Sequence, residues 1–147
     1  MRLGQTVPAL PCRDVAAAVD HYVARFGFEV IHQDDGFAVL VRDDARIHLW
    51  QSGDDGWRLR PVEDLLESPV RTGAETFIAG TASCRIELDS VASVDELYVE
   101  LAASGVLHPG ASCEPTEHSG PTDTDFGTRE FATLDLDGNL LEFYRWR

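Results

Sequence analysis

The residues best placed to do chemistry in this 147-residue sequence lie in one stretch, Arg46 to Trp57, which reads RIHLWQSGDDGW. A histidine stands among apolar residues, and an acidic, tryptophan-bearing loop follows it. Three roles are open to His48: metal ligand, wall of a binding cavity, or core histidine. Strand alternation puts Ile47 and Leu49 on one face, with Arg46, His48 and Trp50 on the other. Near the C-terminus, Glu142 and Tyr144 alternate with Leu141 and Phe143 in the same way. His48 and Glu142 could hydrogen-bond a polar ligand or bond each other, since buried polar groups find partners. No phosphate loop, HExxH pair or nucleophile elbow occurs in the chain. His21, beside Asp20, reads as an exposed helix residue, and spacing alone assigns His108 and His118 no role.

Twelve Lys and Arg against 26 Asp and Glu give a formal charge of −14. Such a field repels phosphate backbones and attracts cationic small molecules, so nucleic acid is disfavoured as a partner. No apolar run approaches the ~20 residues of a membrane helix. The start MRLGQTVPAL lacks a signal-peptide core, and a cytoplasmic location without a membrane partner is expected. Cys12, Cys84 and Cys113 are odd in number and widely spaced, which suggests reduced thiols and neither a disulfide framework nor a zinc clip.

The elements that position these residues come in one theme used twice. After a strand at TVPALPCR, Asp14 is a plausible N-cap and Gly27 a C-terminal stop for a helix. That helix has Val15, Ala18, Val19, Tyr22, Val23 and Phe26 at apolar spacing. Strands FEVIHQ, GFAVLVR and RIHLWQ follow, separated by DDG and DDA turns. SCRIELDS then reads as a strand, VDELYVELAAS as a helix ended by Gly105, and TREFATLDL with NLLEFYRW as a hairpin across DGN. A shift of 75 positions lays Asp14, Val19, Asp20 and Phe26 over Asp89, Val94, Asp95 and Leu101. The expected fold class is α+β, a single domain of two tandem βαβββ modules: module 1 over about 5–52, a connecting loop 53–81, and module 2 over about 82–147. The connection is too long for a simple linker and is expected to hold a short helix, VEDLLES. Loop 108–127 should be exposed and mobile.

With these elements in place, the chain resembles the vicinal-oxygen-chelate superfamily, which groups glyoxalase, extradiol dioxygenase, fosfomycin-resistance and bleomycin-resistance proteins. The likeness is carried by VPALPCRDVAAAVDHYVARFGFEV, SCRIELDSVASVDELY and REFATLDLDGNLLEFY, which together span nearly the whole chain. RIHLWQSGDDGW with AETFIAGTASCRIEL and the opening VPALPCRD is similar to the bleomycin-resistance branch. The resemblance implies sheets curved into half-barrels and a homodimer that exchanges N-terminal strands about a hinge at Pro8. It implies ligand cavities at the subunit interface and non-catalytic sequestration of a small cationic glycopeptide antibiotic. The alternatives are a metal-dependent lyase, dioxygenase or thiol transferase of the same superfamily, or a binder of another small amphipathic cation.

Metal-dependent members place four ligands at equivalent strand positions, which fall here at Val7, His48, Ser83 and Glu142. Valine cannot ligate and serine is a poor ligand, so two competent groups remain where catalytic sites commonly use three. No intrinsic cofactor is expected, although a metal could arrive with the bound drug. Phe37 and Phe126 match positions where drug-binding relatives stack rings against the ligand. Trp50 and Trp57 offer further aromatic surface, and Asp54 and Asp55, with Asp123 and Asp125, could meet a cationic tail. Trp57, amid charged and glycine residues, fits a core position least.

Overall fold

Residues 1–52, 78–109 and 120–147 are described in a computed structural model of the chain. Asp54, Asp55, Trp57, His118, Cys113 and the expected VEDLLES helix lie outside them.

Strand β1 (Ala9–Cys12) leads into helix α1 (Val15–Phe26). The Asp14 side chain accepts from Ala17 N at 2.8 Å, and Gly27 turns the chain out of the helix at φ 67°, a conformation open to glycine at little cost. Val15, Ala18, Val19, Tyr22 and Phe26 are buried. Val23, expected on the same stripe, lies at its edge and is 45% exposed. His21, expected on the surface, is half-buried beside the Phe26 ring, and among the described residues its shielded Nε2 finds no hydrogen-bond partner. Strands β2 (Glu29–Gln33), β3 (Phe37–Arg42) and β4 (Ala45–Gln51) complete a sheet of order β1-β4-β3-β2. Only the β1–β4 pair is parallel.

The second module repeats this plan with β5 (Ser83–Glu87), α2 (Val91–Ser104), β6 (Thr122–Asp123), β7 (Thr128–Leu134) and β8 (Leu140–Trp146). Its sheet order is β5-β8-β7-β6. The cap of α2 is Ser90, whose hydroxyl accepts from Ser93 N, 76 positions after Asp14, while the buried pairs Val19/Val94 and Phe26/Leu101 keep the 75-position shift of the sequence reading. The first strands of the two modules are offset by 76 positions, as in the pairing of Val7 with Ser83, since Ala9 stands opposite His48 and Arg85 opposite Glu142. Two-residue β6 lies inside the segment read as a loop and pairs with β7 at Thr122–Glu130 and Asp123–Arg129.

One apolar core unites both modules, with Leu10, Leu40, Ile47, Leu49, Tyr22 and Phe26 from the first and Val94, Leu101, Phe131, Leu141 and Phe143 from the second. A polar lock sits beside it. Asn139, fully buried, donates through Nδ2 to the Pro11 carbonyl and to Asp135 Oδ2, both at 2.8 Å. Its Oδ1 accepts from Gly80 N at 3.0 Å and Ala82 N at 3.2 Å. Tyr22 in turn donates to Asp135 Oδ2 at 2.9 Å, and burial together with that carboxylate pushes the phenol far above its ordinary range. Gly80 is required here, because a Cβ would lie 2.3 Å from the Asp137 carbonyl oxygen. The DGN hairpin is thus the place where the second module grips the first.

Candidate functional site

The packing of α1 against one face of the first sheet decides which side chains remain available. Ala38 and Leu40 on β3 and Ile47 and Leu49 on β4 point into the core. Alternation leaves Phe37, Val39, Val41, Arg46, His48 and Trp50 on the opposite face, all but Arg46 half-buried. Antiparallel register sets Phe37 opposite Trp50 and Val39 opposite His48. The Phe37 ring lies 4.6 Å from that of Trp50 at 53° and 5.1 Å from that of His48 at 84°, the latter an edge-to-face contact. Burial, and then the charge of Arg46, hold His48 below its ordinary pKa, so the ring is neutral at pH 7.

The turn before β3 fixes Phe37. Asp34 Oδ1 accepts from Gly36 N and Phe37 N, both at 2.9 Å, and Gln51 N donates to the Gly36 carbonyl at 2.8 Å. The Gly36 amide, and the nearby His32 ring, hold the Asp34 carboxyl below its usual range. The turn therefore presents the aromatic side chain at the start of the strand in one orientation.

Glu142 belongs to the corresponding face of the second sheet, but it does not bond His48. Arg85, opposite it in register, takes the carboxylate through Nε at 3.1 Å. The same guanidinium donates to Glu130 and lies 4.3 Å from the Tyr144 ring centroid. Among the described residues no hydrogen bond joins His48 to Glu142. Arg85 and Glu130 went unnoticed in the sequence reading. The signal was present in the pairing of Val7 with Ser83, since the same offset of 76 makes Arg85–Glu142 the counterpart of Ala9–His48.

Phe126 occupies the turn between β6 and β7 and is 57% exposed. That turn is clasped from two sides. Arg129 reaches Asp95 on α2 and Asp123 on β6, and Arg147 reaches Asp123 Oδ2 at 3.0 Å and the Thr124 carbonyl at 3.2 Å. Asp123 is thus occupied by two arginines, which hold its carboxyl below the usual range; Asp125 is exposed in the turn. Pro8 lies where the N-terminal segment meets the sheet, its carbonyl accepting from His48 N at 3.0 Å. Residues 1–6 are exposed and outside the sheet.

The four positions inferred for a metal carry Val7, Ser83, His48 and an arginine-bound Glu142. Valine has no donor atom and the carboxylate is engaged, so this set does not fit an intrinsic divalent ion. Among the described residues no three His, Cys, Asp or Glu side chains gather as a metal site. A cleft of about 750 Å³ opens between the modules over Phe26, Phe28, Ile86 and Phe143. Among the described residues none of the candidate ligand contacts lines it, and its floor is the margin of the core.

The chain matches the profile of the Glyoxalase/Bleomycin resistance protein/Dioxygenase superfamily over residues 2–143. It is 44% identical over 141 residues to bleomycin resistance proteins of Geobacillus stearothermophilus and Staphylococcus aureus, covering 96% of each chain. Among solved structures it is similar to a bleomycin-binding protein complexed with bleomycin, with 26% identity, TM-score 0.63 and coverage of 99% of this chain and 100% of that one. A bleomycin-binding protein from Streptomyces verticillus complexed with copper(II)-bleomycin aligns at 26% identity and TM-score 0.62, covering 97% and 96% of the two chains. A lactoylglutathione lyase from Agrobacterium tumefaciens, 20% identical with TM-score 0.65 over 97% of this chain and 92% of its own, shares the fold. The paired four-stranded sheets and two capped helices of the described residues, with 44% identity over 96% of the chain, lead to one conclusion: the chain belongs to the Glyoxalase/Bleomycin resistance protein/Dioxygenase superfamily and is similar, within it, to the bleomycin resistance proteins.

Proposed function

We propose that this protein binds bleomycin-type glycopeptide antibiotics and sequesters them without chemical change, so conferring resistance. The observation that carries this reading is 44% identity over 96% of the chain to proteins named for bleomycin resistance. The ring face supports it physically. Phe37, Trp50 and a neutral His48 offer aromatic surface to a planar ligand, and the −14 charge attracts a cationic one. Phe126, Glu142, Asp54, Asp55 and Trp57 are proposed as further ligand contacts. The donor set at Val7, Ser83, His48 and Glu142 favours a binder over a metal-dependent enzyme, and any metal would arrive within the drug.

A homodimer, with strands exchanged about Pro8, is part of the proposal, as is a cytoplasmic location. Edge strand β2 is exposed along its whole length, with Val30 42% and Ile31 62% accessible, and such an edge calls for a covering partner. No described helix is long and apolar enough to cross a membrane. Tryptophan fluorescence titration with bleomycin, followed by recovery of the drug and mass measurement, tests the reading. Saturable binding at micromolar concentration with unchanged drug mass is expected. Absence of saturation, or a modified drug, would overturn it.

A further inference from the structure

We propose that Arg85 sets the cation selectivity of the second sheet's open face, by acting as an internal occupant of the position a ligand cation would take. The proposal rests on the binding function given above. Parallel register places Arg85 opposite Glu142, and its Nε donates to that carboxylate at 3.1 Å while Nη2 donates to Glu130. The guanidinium carbon sits 4.3 Å from the centre of the Tyr144 ring. Two carboxylates and an aromatic face around one cation are the groups that recognise alkylguanidinium and alkylammonium ions.

The surroundings are fixed more firmly than the cation. Thr128, fully buried, donates to Glu130 Oε2 at 2.7 Å and is itself bonded to Thr124. Glu130 and Glu142 side chains are 20% and 30% exposed, whereas that of Arg85 is 41% exposed on a long, flexible stem. The carboxylates can therefore stay in place while the arginine swings out. An incoming cation must displace Arg85, and a planar, multidonor cation replaces its two carboxylate contacts better than a compact ammonium does. The first module has no counterpart, because Ala9 stands where Arg85 does. The two sheets thus divide the work, with rings on the first and a self-filled cation position on the second.

Arg85→Gln removes the internal cation and leaves both carboxylates and the Tyr144 ring. Butylguanidinium is titrated into the folded full-length protein and followed by carboxylate and tyrosine NMR shifts, with bleomycin titrated in parallel. Butylguanidinium should bind Arg85→Gln roughly fivefold tighter than wild type, the scale of one partly exposed charge pair. The gain should vanish in Arg85→Gln/Glu142→Gln and be absent in Arg85→Lys. Equal affinity in wild type and Arg85→Gln, or a gain that survives Glu142→Gln, overturns the proposal. Should the glutamine variant misfold, Arg85→Met keeps the stem over Tyr144 and gives the same comparison. Failure of wild type to bind bleomycin strikes the sequestration reading alone, because the butylguanidinium comparison stands apart from it.

Discussion

Replacing Asn139 with alanine should loosen the grip of one module on the other. The amide serves the Pro11 carbonyl and Asp135 on its donor side and the Gly80 and Ala82 amides on its acceptor side, at 2.8–3.2 Å throughout. Truncation strands three backbone groups in or beside the core, while Asp135 Oδ2 keeps the Tyr22 hydroxyl. An unsatisfied buried group costs about 1–3 kcal/mol, and partial relaxation brings the sum to about 3–5 kcal/mol. Against a typical domain stability of about 5–15 kcal/mol that is roughly a fifth or more, and it corresponds to a melting temperature lowered by on the order of 10 °C. Urea unfolding followed by circular dichroism at fixed protein concentration measures it. Asn139→Asp should be worse at neutral pH, because it loses both donations and sets a second carboxylate against Asp135. A loss under about 1 kcal/mol for Asn139→Ala would refute the view that this side chain fastens the modules.

Further outcomes follow from the site and its surroundings. Phe37→Ala and Phe126→Ala should each cost about 1–3 kcal/mol of bleomycin binding in calorimetry, on the scale of ring stacking, with little change in thermal stability. Burial holds His21 and His48 below their ordinary value of 6.5, so the unfolded chain takes up protons that the folded chain refuses. Stability should therefore fall as pH drops from 6.5 towards about 5, and His21→Gln/His48→Gln should flatten that decline in pH-dependent melting. Burial also pushes the Cys12 thiol up to about 12 and that of Cys84 to about 11. In a Cys113→Ser background, the folded protein should resist a thiol reagent at pH near 8, and both cysteines should react once it is denatured.

The local signals in the sequence translated directly into structure. Asp14 and Gly27 bound α1 because capping and the αL turn are decided within a few residues. Strand alternation at Arg46–Trp50 placed the ring face correctly, since its inner neighbours Ile47 and Leu49 are strongly apolar. What depended on distant partners was not legible. Two-residue β6 owes its pairing to β7, and no pattern two residues long announces a strand. DGN read as a turn, yet Asn139 acts through contacts 57 to 128 positions away. The suggested His48–Glu142 bond fails for a similar reason: cross-strand register hands Glu142 to Arg85.

The central claim is that the ring face of the first sheet and the Phe126 turn hold a bleomycin-type drug without altering it. Calorimetric titration of the full-length protein with bleomycin, beside Phe37→Ala/Phe126→Ala, tests this most directly. Saturable micromolar or tighter binding by wild type, weakened at least tenfold in the double variant, is the result predicted from stacking energies of about 1–3 kcal/mol per ring. Equal binding by the two proteins would contradict the assignment of the site, and no binding by either would contradict the function.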